Sequence, residues 1–124
     1  MTTILVIDDE QGIRDLLHTF LRRSGYDVIV AENGPKGLEL YRRECPDVVV
    51  LDLKMPGMDG LTVLQQVRSL NPLQLVIIVT GAGTPEVEQQ VRALGVTEYI
   101  EKEYSLDLLN DALTRLLART PPST

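Results

Sequence analysis

The sequence predicts an α/β fold of the form (βα)₅, a doubly wound parallel sheet with helices on both faces. Three observations carry this. Short runs rich in Val, Ile and Leu recur along the chain, at Thr3 to Ile7, Val28 to Ala31, Val48 to Leu53, Leu75 to Thr80 and Glu98 to Ile100. Runs this short and this apolar read as strands buried on both faces. Segments with apolar residues at helical spacing separate them, and such alternation implies right-handed crossovers and a parallel sheet.

Each helix has its own signature. After the first strand, Ile13, Leu16, Leu17, Phe20 and Leu21 are expected on one buried face, with Gly25 as the stop. Asn33-Gly34-Pro35 opens the second helix, with Pro35 in its first turn, Leu38 and Tyr41 facing inward and Pro46 beyond its end. Leu61, Leu64, Val67 and Arg68 mark the third, which ends near Asn71-Pro72. Pro85 starts the fourth, with Val87, Val91 and Leu94 inward and Gly95 closing it. Leu106, Leu109, Leu113, Leu116 and Leu117 mark the fifth.

Composition bounds the function. The 124 residues fit one domain, expected over residues 1–118, with residues 119–124 a tail or the start of a linker. The net charge of -6 argues against direct nucleic-acid binding by this domain, since phosphate contacts need clustered Lys and Arg. With 44% hydrophobic but only 4% aromatic residues, the core must be built from Leu, Val and Ile. The single cysteine, Cys45, excludes an internal disulfide and suggests a reducing compartment; it is expected to be a small buried or half-buried residue. No run approaches the roughly 18 apolar residues of a membrane span, and no secretory signal is visible. The expected location is the cytoplasm.

Chemistry concentrates where strands end. The first strand is followed by Asp8-Asp9-Glu10, the third carries Asp52, the fourth ends in Thr80-Gly81-Ala82-Gly83, and the fifth region holds Tyr99 and Lys102. A parallel sheet brings these ends to one edge, where open α/β folds place their sites. Crowded carboxylates repel unless a cation joins them, and an oxygen-only ligand set suits Mg²⁺. A carboxylate nucleophile, a metal-binding acidic pair, a hydroxyl and an amine suit phosphoryl transfer. The plainer possibilities are that Asp8 or Asp9 only caps the first helix, and that Thr80, Tyr99 and Lys102 serve structure or surface alone. His18 falls on the outer side of its helix and reads as an ordinary surface histidine. Gly57 and Gly60 are expected to serve the turn leaving the third strand, where positive φ is needed.

At these residues the chain resembles the receiver domain of two-component response regulators. The resemblance rests on Val6-Ile7-Asp8-Asp9-Glu10, on Val50-Leu51-Asp52-Leu53-Lys54-Met55-Pro56-Gly57-Met58-Asp59-Gly60, on Val79-Thr80-Gly81 and on Tyr99-Ile100-Glu101-Lys102. It implies a flavodoxin-like sheet of strand order 2-1-3-4-5. It implies that Asp52 accepts a phosphoryl group from a histidine kinase or histidine phosphotransfer protein, in a Mg²⁺-dependent reaction. Asp8, Asp9, Asp52 and the backbone carbonyl of Lys54 would hold the metal. Lys102 would pair with the phosphoryl group, and Thr80 and Tyr99 would act as the switch hydroxyl and switch aromatic. The domain would be a signalling module and not an enzyme, beyond assisting its own phosphorylation and dephosphorylation. Its output would pass through the face formed by the fourth helix, fifth strand and fifth helix, to an output domain, a partner protein or a second copy.

One departure from the family stands out. Lys102 is followed by Glu103 where proline is usual. A cis bond to a non-proline residue costs about 3 kcal/mol, so the loop that aims Lys102 is expected to differ in shape. The other departure is the small Gly81-Ala82-Gly83 loop, which should leave access to the site open. Alternatives from other classes fit less well. A flavin carrier would not place Asp-Asp-Glu at its phosphate loop, and a hydrolase with an Asp nucleophile would need an inserted cap. A receiver-like binding module that works without phosphorylation would be expected to lack Asp52, Lys102 or the acidic pair, and none is missing.

Overall fold

The computed structural model describes residues 2–81, 83–101 and 105–119. Among these, strands β1 (Thr3–Ile7), β2 (Asp27–Ala31), β3 (Val48–Leu51), β4 (Leu75–Thr80) and β5 (Glu98–Glu101) alternate with helices α1 (Gln11–Arg23), α2 (Gly34–Glu44), α3 (Gly60–Leu70), α4 (Pro85–Ala93) and α5 (Ser105–Arg119). All neighbouring strands are parallel, and the sheet order is β2-β1-β3-β4-β5. The fold class and strand order are those expected from the sequence.

The strands alternate their side chains between two cores. Leu5, Ile7, Val49, Leu51, Val76 and Ile78 pack with residues of α2, α3 and α4 on one face. Ile4, Val6, Val48, Val50, Ile77 and Val79 pack with Leu17, Leu21, Leu109 and Leu113 of α1 and α5 on the other. Both faces are covered, which is why the strand sequences are continuously apolar and do not alternate with polar residues.

Helix boundaries follow local chemistry. The Asn33 side chain accepts a 2.8 Å hydrogen bond from the Lys36 amide at the start of α2. Asp59 does the same for α3 from the Thr62 amide at 2.9 Å, and Thr84 for α4 from the Val87 amide at 3.2 Å. Each meets an amide that the helix itself leaves unpaired. Gly25 and Gly95, at φ 97° and 80°, turn the chain out of α1 and α4.

Several expectations are corrected. The third strand ends at Leu51, not Leu53: the Leu53 carbonyl accepts from the Gly60 amide at 2.8 Å and closes a loop instead of extending the ladder. Leu16 is 47% exposed, because α1 lays a narrower stripe on the sheet, centred on Leu17 and Leu21. Cys45 is exposed, not buried. It sits in the left-handed region at φ 47° at the C-cap of α2, which turns its side chain away from the core. The second and fifth strands are each one residue longer than expected, paired through Thr3–Asp27 and Thr80–Glu101. Helix α5 continues through Arg119, the first residue of the expected tail; residues 120–124 lie outside the described residues.

Candidate functional site

Register builds the site. Ile7 of β1 pairs with Leu51 of β3, so the next residue of each strand, Asp8 and Asp52, leaves the sheet at the same level. The Asp52 amide still donates to the Ile7 carbonyl at 2.9 Å and the Asp8 amide to the Ala31 carbonyl at 3.1 Å, which anchors both backbones to the sheet. Both side chains are buried, at 2% and 3% exposure. Thr80, 1% exposed, ends β4 two residues after Ile78, the partner of Leu51.

The carboxylates of Asp8, Asp9, Glu10 and Asp52 converge: one oxygen from each lies within 4.8 Å of all the others. Asp8, Asp9 and Asp52 are thus brought together as the sequence predicts. Glu10, which the sequence places at the same strand end, belongs to the cluster too. Like charges this close repel, and an all-oxygen donor set of this kind fits a hard cation such as Mg²⁺. Helix capping does not account for the acidic pair. The N-cap residue of α1 is Glu10, without a side-chain cap bond. Asp8 instead accepts from the Glu10 amide at 2.9 Å, which folds the turn back toward the cluster.

Two further contacts shape the site. Arg14 Nη1 donates to the Asp8 carbonyl at 2.8 Å and ties the first turn of α1 to the end of β1. The Lys54 amide donates to Asp52 Oδ1 at 3.3 Å, while the Lys54 side chain is exposed. Neither contact was read from the sequence. Gly57, at φ 80°, supplies the positive φ expected in this loop. Gly60 does not need one: a Cβ there would overlap the Asp52 carbonyl oxygen, so its requirement is space. A groove of about 430 Å³ beside the site is lined by Leu53, Lys54, Met55, Asp59, Leu61, Val87 and Gln90.

Tyr99 is half-buried on β5, paired in register with Ile78. The Arg92 guanidinium stands 5.9 Å from its ring centroid, and Arg92 Nε donates to Glu88 Oε2 at 2.8 Å. Burial pushes the Tyr99 phenol above its ordinary pKa, Glu88 and Glu101 add to the rise, and Arg92 opposes it. Lys102 and Glu103 lie outside the described residues.

A five-stranded parallel sheet with an acidic cluster at its carboxyl edge defines a receiver-type α/β domain. The comparisons agree. The model of the response regulator receiver domain matches residues 4–114. Sporulation initiation phosphotransferase F of Bacillus subtilis is 36% identical over 92% of this chain and 92% of that protein. Response regulator MprA of Mycolicibacterium vanbaalenii is 36% identical over 96% of this chain, which spans only 52% of MprA. The solved structure of response regulator TrrA from Thermotoga maritima, in complex with Mg²⁺ and BeF, is 33% identical with a TM-score of 0.84, covering 94% of this chain and 99% of that one. The chain belongs to the response regulator receiver domain family, and it is a receiver domain of a signalling protein. No helix among the described residues is long and apolar enough to cross a membrane.

Proposed function

We propose that Asp52 is the phosphoacceptor of this receiver domain and that Asp8, Asp9, Asp52 and the Lys54 carbonyl hold Mg²⁺. The observation that carries this is the convergence of four carboxylates within 4.8 Å at the carboxyl edge of the sheet. A carboxylate oxygen of Asp52 attacks phosphorus, the bond from phosphorus to the donor imidazole nitrogen breaks, and an acyl phosphate forms. Mg²⁺ held by Asp8, Asp9, Asp52 and the Lys54 carbonyl would supply the positive charge that offsets the phosphoryl group's negative charge. Asp8 and Asp9 orient the site, Lys102 pairs with a phosphoryl oxygen, and the Thr80 hydroxyl takes another. Glu10, whose carboxylate shares the cluster, adds negative potential that favours a divalent cation.

The donor is a histidine kinase or histidine phosphotransfer protein in the cytoplasm. Movement of Thr80 and Tyr99 shifts the balance between two packings of the α4, β5 and α5 face, which then engages an output domain, a partner or a second copy. Residues 1–118 form the receiver unit, and α5 carries it one residue further, to Arg119. A module working without phosphorylation is not favoured, since the acidic cluster is complete. Incubation with acetyl phosphate and Mg²⁺ tests the reading. The intact protein gains the mass of one phosphoryl group and Asp52→Ala gains none; equal labelling of the two would overturn Asp52 as the acceptor.

A further inference from the structure

The phenol of Tyr99 occupies the space that a side chain at position 83 would fill. A Cβ built on Gly83 would overlap the Tyr99 hydroxyl outright, would lie 2.9 Å from the ring carbon that bears it, and would be 3.4 Å from the Thr80 methyl. Real Cβ atoms do not tolerate the first of these contacts, so the ring or the loop would have to give way. What the loop needs at this position is room. The ring is held from a second direction by Arg92, itself fixed by its ion pair with Glu88.

We propose that Gly83 is a socket for the Tyr99 hydroxyl, a positioning residue that permits the inward setting of the ring beside Thr80. The inference rests on the switch role proposed above for Thr80 and Tyr99, and it deepens that role by naming what sets the resting balance. Any side chain at position 83 competes with the ring for the same volume. Alanine there moves Tyr99 outward, and the packing that a bound phosphoryl group selects loses its place for the ring. A ligand at Asp52 must then do work against that displacement, so its affinity falls.

The test uses the full chain labelled with 3-fluorotyrosine, with the Tyr99 resonance assigned by its loss in Tyr99→Phe. In Gly83→Ala the Tyr99 fluorine signal moves toward the solvent-exposed position, in the absence of any phosphoryl mimic, while the melting transition stays cooperative. An unmoved signal overturns the socket. The second arm titrates beryllium fluoride with Mg²⁺. Gly83→Ala weakens binding by about tenfold, the scale expected of overpacking by one methyl, and by less than about twofold when Tyr99→Ala is already present. Equal weakening in both backgrounds shows that the methyl acts through the loop backbone, and overturns the proposal. If the fluorine signal moves in Gly83→Ala while beryllium fluoride affinity does not, the socket stands and the switch role of Tyr99 falls.

Discussion

Gly60, the first residue of α3, packs directly against the backbone carbonyl of Asp52. A Cβ at Gly60 would overlap that oxygen and lie 2.9 Å from the carbonyl carbon. Both obstacles are backbone, so neither can rotate away. The start of α3 is thus pressed onto the residue proposed to receive the phosphoryl group. Gly60→Ala should lower stability by about 1–3 kcal/mol and slow labelling by acetyl phosphate, because Asp52 must shift. Gly12, on α1 with nothing within 4 Å of the same Cβ position, is the control. Gly12→Ala should be neutral or stabilise by up to about 1 kcal/mol, from helix propensity. Thermal melting beside labelling by mass spectrometry checks both.

Mg²⁺ should raise the melting temperature. Four carboxylates within 4.8 Å repel in the metal-free protein, and a cation that binds only the folded state stabilises it by mass action. The rise should be largely lost in Asp9→Asn, whose removed charge also relieves the metal-free repulsion. Melting curves with and without millimolar Mg²⁺ decide this. No response in the wild type, or an equal response in Asp9→Asn, would sink the assignment.

Lys54 separates backbone from side chain. Its amide donates to Asp52 Oδ1 at 3.3 Å while its side chain is exposed at the rim of the neighbouring groove. A long cation there would stand near the path of a hydrolytic water to Asp52 and could pair with a phosphoryl oxygen. Lys54→Ala and Lys54→Asn should gain the phosphoryl group as the wild type does and lose it several-fold faster. The decay of phosphorylated protein after removal of donor measures this, and wild-type decay in both variants would confine Lys54 to its backbone role.

Tyr41 should make the fold sensitive to alkali. Its hydroxyl donates to Gln74 Oε1 at 3.0 Å, and Gln74 Nε2 donates on to the Asp47 carbonyl at 3.0 Å. Burial pushes the phenol above 10.0, with Asn71 and Arg68 opposing the rise and Cys45 adding slightly to it. The folded state then keeps its proton where the unfolded chain releases it. The stability this contributes is complete below about pH 10 and is lost as the pH rises through the folded-state pKa. Tyr41→Phe should cost about 1–3 kcal/mol at neutral pH, since Gln74 keeps a buried acceptor without its donor. It should also flatten the decline above pH 10. Chemical denaturation at pH 7 and pH 10.5 tests both parts.

Most of the fold was legible because its signals are local. Val48-Val49-Val50-Leu51 is too apolar for any strand but one covered on both faces, and Asn33-Gly34-Pro35 can begin a helix with no help from the rest of the chain. The acidic edge followed from strand ends alone. What escaped depends on distant parts of the chain. Arg68, read as one more residue on the α3 stripe, reaches across to the carbonyls of Leu94 and Gly95 at the end of α4, a pairing that no periodicity reveals. Gln74 is buried, at 7% exposure, where it bonds both the Tyr41 hydroxyl and the Asp47 carbonyl just before β3. Gly60 was expected to serve a turn, because a sequence cannot distinguish a glycine needed for its φ from one needed for its missing side chain. Hydrophobicity alone favours an inward setting for Leu16 and Cys45, but the width of the buried stripe and the left-handed C-cap leave them exposed.

The exposed thiol of Cys45 has a practical consequence for any study of signalling in this protein. It is the sole cysteine in the chain and lies past the end of α2, just before β3 begins, whereas the acidic cluster lies beyond the end of that strand. One fluorophore or spin label therefore attaches at a single known point, without mutagenesis and on the opposite edge of the sheet from the chemistry. An exposed thiol of this kind can be oxidised by air to a disulfide between two copies. Such a cross-linked pair would pass for a phosphorylation-driven dimer in size-exclusion or scattering data, so a reductant, or Cys45→Ser, belongs in every measurement of self-association.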